Sequence, residues 1–109
     1  MSLALPLPGT PIEEIDTPAL IIDLDRMDRN IAKMASFFRG VKSELRPHSK
    51  TVKTPILAKK QIDAGAIGIC CAKVGEAEVM VEGGISDIFI TNQVVTPTKI
   101  ARLMSLCRH

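Results

Sequence analysis

Apolar residues recur along this chain in two alternating rhythms. Leu24, Met27, Ile31, Met34 and Phe38 are spaced by three and four, which places them on one face of a helix. A strand-length apolar run, Ala19 to Ile22, precedes that helix, Asp23 or Asp25 can cap its start, and Gly40 ends it. A short strand candidate follows over residues 41–46. Thr54 and Pro55 then read as a helix start, a capping hydroxyl followed by proline at the first helical position, with the helix running on through Ile62 to Gly65. AIGICCAK (residues 66–73) reads as a buried strand, VGEAEVMVEGG as a helix closed by Gly83 and Gly84, and DIFITN (residues 87–92) as another strand. Thr96 and Pro97 repeat the helix start, with Ile100, Leu103, Met104 and Cys107 on one side.

Strand candidates near residues 45, 69 and 89 with a helix between each pair have the rhythm of a parallel β/α protein. A continuous apolar run such as IGICC, rather than an alternating one, fits a parallel sheet covered on both faces. Three such units do not close a barrel and leave sheet edges unpaired, so the chain reads as the N-terminal portion of a longer α/β enzyme. Residues 1–16, broken by prolines, read as an extended leader.

Composition narrows the chemistry. With three Phe and no Trp or Tyr among 109 residues, the core must be built from Ile, Val, Leu, Ala and Met. A formal net charge of +2 gives no footing for a nucleic-acid or membrane surface. Cys70, Cys71 and Cys107 form no CxxC pair and fit a reducing cytosol, with packing as the default role of the first two. The start of the chain lacks the basic leader and long apolar core of a signal peptide, and no window reaches the ~20 apolar residues of a membrane span.

In parallel β/α folds the chemistry sits in the loops at the C-terminal ends of the strands. The stretch LRPHSKTVKTP puts Arg46, His48, Lys50 and Lys53 in such a loop. A lysine there, desolvated and near other cations, can serve as an amine nucleophile that forms a Schiff base, or the stretch is a solvated basic loop before a helix. His48 either contacts a ligand or satisfies a backbone carbonyl. Asn92 and Gln93 either hold a ligand hydroxyl or cap the helix that follows. The basic residues lack interleaved aromatics for base stacking, which argues against nucleic acid.

Three segments in order, DTPALIIDLDRMDRNIAKM, LRPHSKTVKTP and GAIGICCAKVGEAEVMVEGGISDIFITNQVV, closely resemble the N-terminal part of the D-threonine aldolase and D-serine dehydratase-like family. That family belongs to the alanine racemase-like, fold-type III enzymes that use pyridoxal 5'-phosphate (PLP). The resemblance implies a partial TIM-type (β/α) barrel made of the first three β/α units. Residues 17–23 would supply a strand of a separate β-domain, and residues 24–109 the N-terminal part of the PLP-binding barrel. It implies that Lys50, at the lysine of the RPHxK motif, is catalytic and binds PLP, with His48, Arg46 and Gln93 as further cofactor contacts. The activity implied is a lyase that splits D-3-hydroxy amino acids into glycine and an aldehyde. A D-serine dehydratase-like lyase, an amino acid racemase, and an inactive PLP- or partner-binding chain are the alternatives. A homodimer in the cytoplasm and a divalent metal, with ligands outside this chain, complete the implied picture. One departure is plain: where family motifs commonly carry a second His after the lysine, this chain has Val52.

Overall fold

A computed structural model describes residues 5–108. Four helices, α1 (Leu24–Arg39), α2 (Pro55–Asp63), α3 (Val74–Glu82) and α4 (Pro97–Leu106), alternate with two strands, β1 (Ile69–Cys71) and β2 (Ile88–Ile90). The strands pair in parallel, Ile69 opposite Ile88 and Cys71 opposite Ile90. The chain is therefore α/β with a parallel sheet, consistent with part of a barrel.

The third strand predicted at residues 41–46 does not form there. Its pairing moves to residues 45–49, which lie parallel to β1 through a single bridge, His48 to Cys70. Cys70 N–H donates to the Pro47 carbonyl and Ser49 N–H to the Cys70 carbonyl, both at 2.8 Å. The next rung toward the N-terminal end would need an N–H at residue 47 donating to the carbonyl of Gly68, and proline has none, so the ladder stops. Below it the register slips by one residue, with Ile67 N–H on the Leu45 carbonyl at 2.9 Å.

Gly68 makes that slip possible. Its φ is +157°, and a Cβ there would overlap the Asp87 carbonyl and the Arg46 guanidinium. Only a residue without a side chain leaves room here for the Asp87 backbone and the Arg46 guanidinium together.

The core lies between the sheet and its helices. Ala58, Ile69, Cys71, Ala77, Met80 and Ile85 are buried together, with Ile62, Ile88, Ile90 and Leu106 packed against them. Alternation along the strands sends the other residues to the opposite face, where Cys70 is half-buried and Phe89 is 58% exposed. Among the described residues the sheet is thus covered on one face, where the apolar runs predicted cover on both.

Helix boundaries follow the sequence signals with two exceptions. Asp23 caps α1 by accepting from Arg26 N–H at 2.9 Å, and Thr96 caps α4 by accepting from Lys99 N–H. Thr54 occupies the cap position of α2, yet its hydroxyl makes no capping bond. On α4 the residues turned to the core are Leu103 and Leu106, whereas Ile100, Met104 and Cys107 are exposed. The reason is that α4 lies against α3, where Arg102 on its inner flank reaches Glu78 and fixes the rotation of the helix.

α1 buries no residue completely. Met27, Ile31, Ala35 and Phe38 are half-buried, while Leu24 and Met34 stay exposed. An apolar cleft of about 650 Å³ separates this helix from Leu45, Pro47, Leu57 and Ala66.

Ala19 to Ile22 forms no strand, since no neighbouring segment offers it a ladder among the described residues. The leader is not uniformly extended either: Ile12–Glu14 is a turn of 3-10 helix. The first four residues of the leader and His109 lie outside the described residues. No helix among those described is long and apolar enough to cross a membrane.

Candidate functional site

Local backbone form decides where each cationic side chain goes. Arg46 and His48 alternate with Pro47, so the two share one side of the extended segment, and Lys50 lies in the turn that follows the bridge.

Arg46 sits at the foot. Its guanidinium binds the Asp87 carboxylate at 2.7 Å and the Asp87 carbonyl at 3.3 Å, just before β2 begins. The hydrogen bond to Asp87 raises the Arg46 pKa further, so the guanidinium stays charged. Arg46, expected beside the cofactor, is bonded here to Asp87 at the N-terminal ends of the strands.

Lys50 sits at the mouth, directly after the bridge, and is exposed. Among the described residues no carboxylate pairs with it. Its backbone is held from both sides. Ser49, 1% exposed, donates its hydroxyl to the Cys70 carbonyl at 3.0 Å and lies 3.4 Å from the Cys71 sulfur. Burial pushes the Cys71 thiol pKa up, so this neighbour is a packing thiol and not a nucleophile. On the other side, Val52 and Lys53 N–H groups close a turn onto the Ser49 carbonyl at 3.2 and 2.8 Å.

His48 links Lys50 to β2. Lys50 N–H lies 3.2 Å from His48 Nδ1, which must accept. In the neutral ring the proton is then on Nε2, which donates to Thr91 Oγ1 at 3.2 Å, and the Thr91 hydroxyl donates to the Cys71 carbonyl at 3.3 Å. The chain from Lys50 through His48 and Thr91 to β1 spans all three strand ends.

Two more groups close the mouth. Asn92 Nδ2 donates to the Ala72 carbonyl at 2.9 Å, which ties the loop after β2 to the loop after β1. Glu76, in the first turn of α3, accepts from Ala72 N–H at 2.7 Å and pairs with Lys53 at 3.5 Å. Gln93 is exposed one residue beyond Asn92. Sequence reasoning missed Thr91 and Glu76. Thr91 was legible as the last residue of DIFIT, at a strand's C-terminal end, and Glu76 as an acid in the first turn of a helix that follows a strand.

An exposed, unpaired primary amine on a pinned backbone at the C-terminal edge of a parallel sheet is suited to attack a carbonyl. The amine, the His48 ring and the Thr91 hydroxyl are compatible with PLP, an aldehyde whose ring and phosphate need hydrogen-bonding neighbours. Among the described residues no three of His, Cys, Asp and Glu come together as a metal site.

Comparison with known proteins gives the same region a lineage. The D-threonine aldolase of an Arthrobacter species is 45% identical over 101 residues, which are 93% of this chain and 27% of the relative. The 3-hydroxy-D-aspartate aldolase of Paracoccus denitrificans (strain Pd 1222) is 45% identical over 92% of this chain and 26% of its own length. Among solved structures, D-threonine aldolase from Filomicrobium marinum superposes with a TM-score of 0.87 at 46% identity, over 90% of this chain and 26% of that one. D-threo-3-hydroxyaspartate dehydratase from Delftia sp. HT23 gives 0.81 at 40% identity, over 87% and 25%. The chain spans about a quarter of the length of the curated relatives it matches. The family model described as alanine racemase, N-terminal domain, matches residues 22–107, and the chain belongs to that family.

Proposed function

We propose that this chain supplies the lysine-bearing β/α units of a PLP-dependent lyase that splits D-3-hydroxy amino acids at the Cα–Cβ bond into glycine and an aldehyde. The observation that carries the reading is Lys50: an exposed amine between two backbone anchors, at the strand end where this fold does its chemistry. The two aldolases at 45% identity favour carbon–carbon cleavage.

When bound, PLP supplies an electron sink for the pair released as the substrate bond breaks. The residues of this chain do the rest. Lys50 offers the amine that holds the cofactor. His48 accepts from Lys50 N–H on Nδ1 and meets Thr91 through Nε2, so its ring is held in place at the mouth. Asn92 and Glu76 fix the neighbouring loops through Ala72. Gln93, exposed beside them, is positioned for a polar contact with cofactor or substrate. Arg46 acts at a distance, by holding the strand feet. A divalent metal and a homodimer belong to the same reading, as does a cytoplasmic place of work, which suits three free cysteines.

The test is covalent labelling. PLP followed by borohydride is expected to fix the cofactor on Lys50, as read by peptide mapping, and Lys50→Ala to remove the label. Equal labelling of the variant overturns the assignment. The dehydratase at 40% identity favours a second reading in which the 3-hydroxyl is lost. Products separate the two: glycine with an aldehyde for cleavage, ammonia with an oxo acid for dehydration.

A further inference from the structure

We infer that Glu76 is a positioning residue for Lys50, gripping the far end of the lysine's turn through Lys53 and anchoring it to the first turn of α3. The inference rests on the assignment of Lys50 above, and names what holds that amine in place.

The turn from Ser49 to Lys53 has two ends with different fastenings. Ser49 is buried and bonded to β1 by both its backbone and its hydroxyl. At the other end the Lys53 N–H closes back onto the Ser49 carbonyl at 2.8 Å, a bond that stays inside the turn. There the chain passes through Lys53 with φ of +47°, a left-handed conformation that a residue with a Cβ adopts at a cost of about 1 kcal/mol. Such a conformation persists only where surrounding contacts over-determine it. The contact that ties Lys53 to an element outside the turn is Lys53 Nζ on Glu76 at 3.5 Å.

Glu76 is built for the task. Its side chain is only 12% exposed, so its oxygens need partners. One oxygen takes the Ala72 N–H, in the loop after β1, and the other takes Lys53, in the loop before α2. Its place in the first turn of α3 adds the favourable end of the helix dipole. Burial works to raise its pKa, but the Ala72 N–H, the Lys53 ammonium and the Lys73 N–H outweigh that and hold the carboxyl below its ordinary value. One carboxylate therefore joins the loops that end two adjacent parallel segments, with Lys50 between its grip and that of Ser49.

The experiment compares wild type, Glu76→Gln and Lys53→Met in the full chain, with PLP as the probe. Two quantities are read: the rate of borohydride-fixed labelling at Lys50, and hydrogen exchange at individual amides without PLP. In both variants labelling is expected to slow about threefold, as for the loss of a half-exposed ion pair. Exchange is expected to rise at Lys50 and stay constant at Ile69 and Ala58. An unchanged labelling rate with unchanged Lys50 exchange overturns the inference, as does a rise of equal size at all three amides, which marks general loosening. Should Glu76→Gln fail to fold, Lys53→Met decides alone, because that side chain is 63% exposed. Absence of a Lys50 label in wild type refutes the cofactor assignment instead, while the exchange data still judge the grip.

Discussion

Replacing Thr91 with Val tests the hydrogen-bond chain that fixes the His48 ring. The substitution keeps shape and removes one hydroxyl, which accepts from His48 Nε2 and donates to the Cys71 carbonyl. That carbonyl keeps a second partner, Thr91 N–H at 3.0 Å, so no buried acceptor is orphaned. The expected cost is therefore that of one ordinary hydrogen bond, about 1 kcal/mol. Expressed at the ring, about 1 kcal/mol is a factor of roughly five in the preference for the Nε2-protonated tautomer. Ring nitrogen-15 spectra in alkaline buffer read the tautomer directly. Wild type is expected to show a protonated Nε2 and a bare Nδ1, the variant a mixture, with faster exchange of the Lys50 amide. A wild-type ring protonated on Nδ1 would refute the reasoning, because that nitrogen could not then accept from Lys50.

Gly68→Ala should destabilise the fold by about 2 kcal/mol in urea unfolding, since the new methyl meets Asp87 and Arg46; a change within error would show that the two can part without consequence. Met80→Ala, at a site 1% exposed, should cost about 3 kcal/mol by the same measurement. The Glu76 carboxyl is held below its ordinary value, so its stabilisation is complete above the unfolded-state pKa and lost as pH falls through the lower folded value. Melting temperature should accordingly drop more steeply with acid in wild type than in Glu76→Gln, and parallel curves would contradict this. Pro47→Ala restores the missing donor: the new amide should bond the Gly68 carbonyl and resist exchange, and free exchange would mean that something other than the donor halts the ladder.

The β/α order was legible because its signals are local. The Asp23 cap, the Thr96–Pro97 start and the apolar run through Ile69 each depend on a few consecutive residues. The strand at residues 41–46 was misplaced although the sequence held the reason: Pro47 cannot donate, and only the spacing of the pairing partner shows which rung that breaks. For the site, the loop offered Lys50 and His48 as candidates without deciding between a ligand contact and a solvated loop. The Arg46 ion pair was not legible, because its partner Asp87 lies 41 residues away. Glu76 and Thr91 were legible as positions but not in their roles, which exist only once two loops meet.

The ion pair at the strand feet and the free amine at the mouth grow from one run of five residues, and this gives the run a split genetics. Substitutions at Arg46 will surface in screens for abundance and thermal tolerance, and an acidic exchange with Asp87 can suppress them. Substitutions at Lys50 will leave abundance untouched and surface only where turnover is selected, with no second-site suppressor at position 87. Two codons of the same charge class, four positions apart, will thus give separate classes of phenotype, sorted by which end of the segment each side chain reaches.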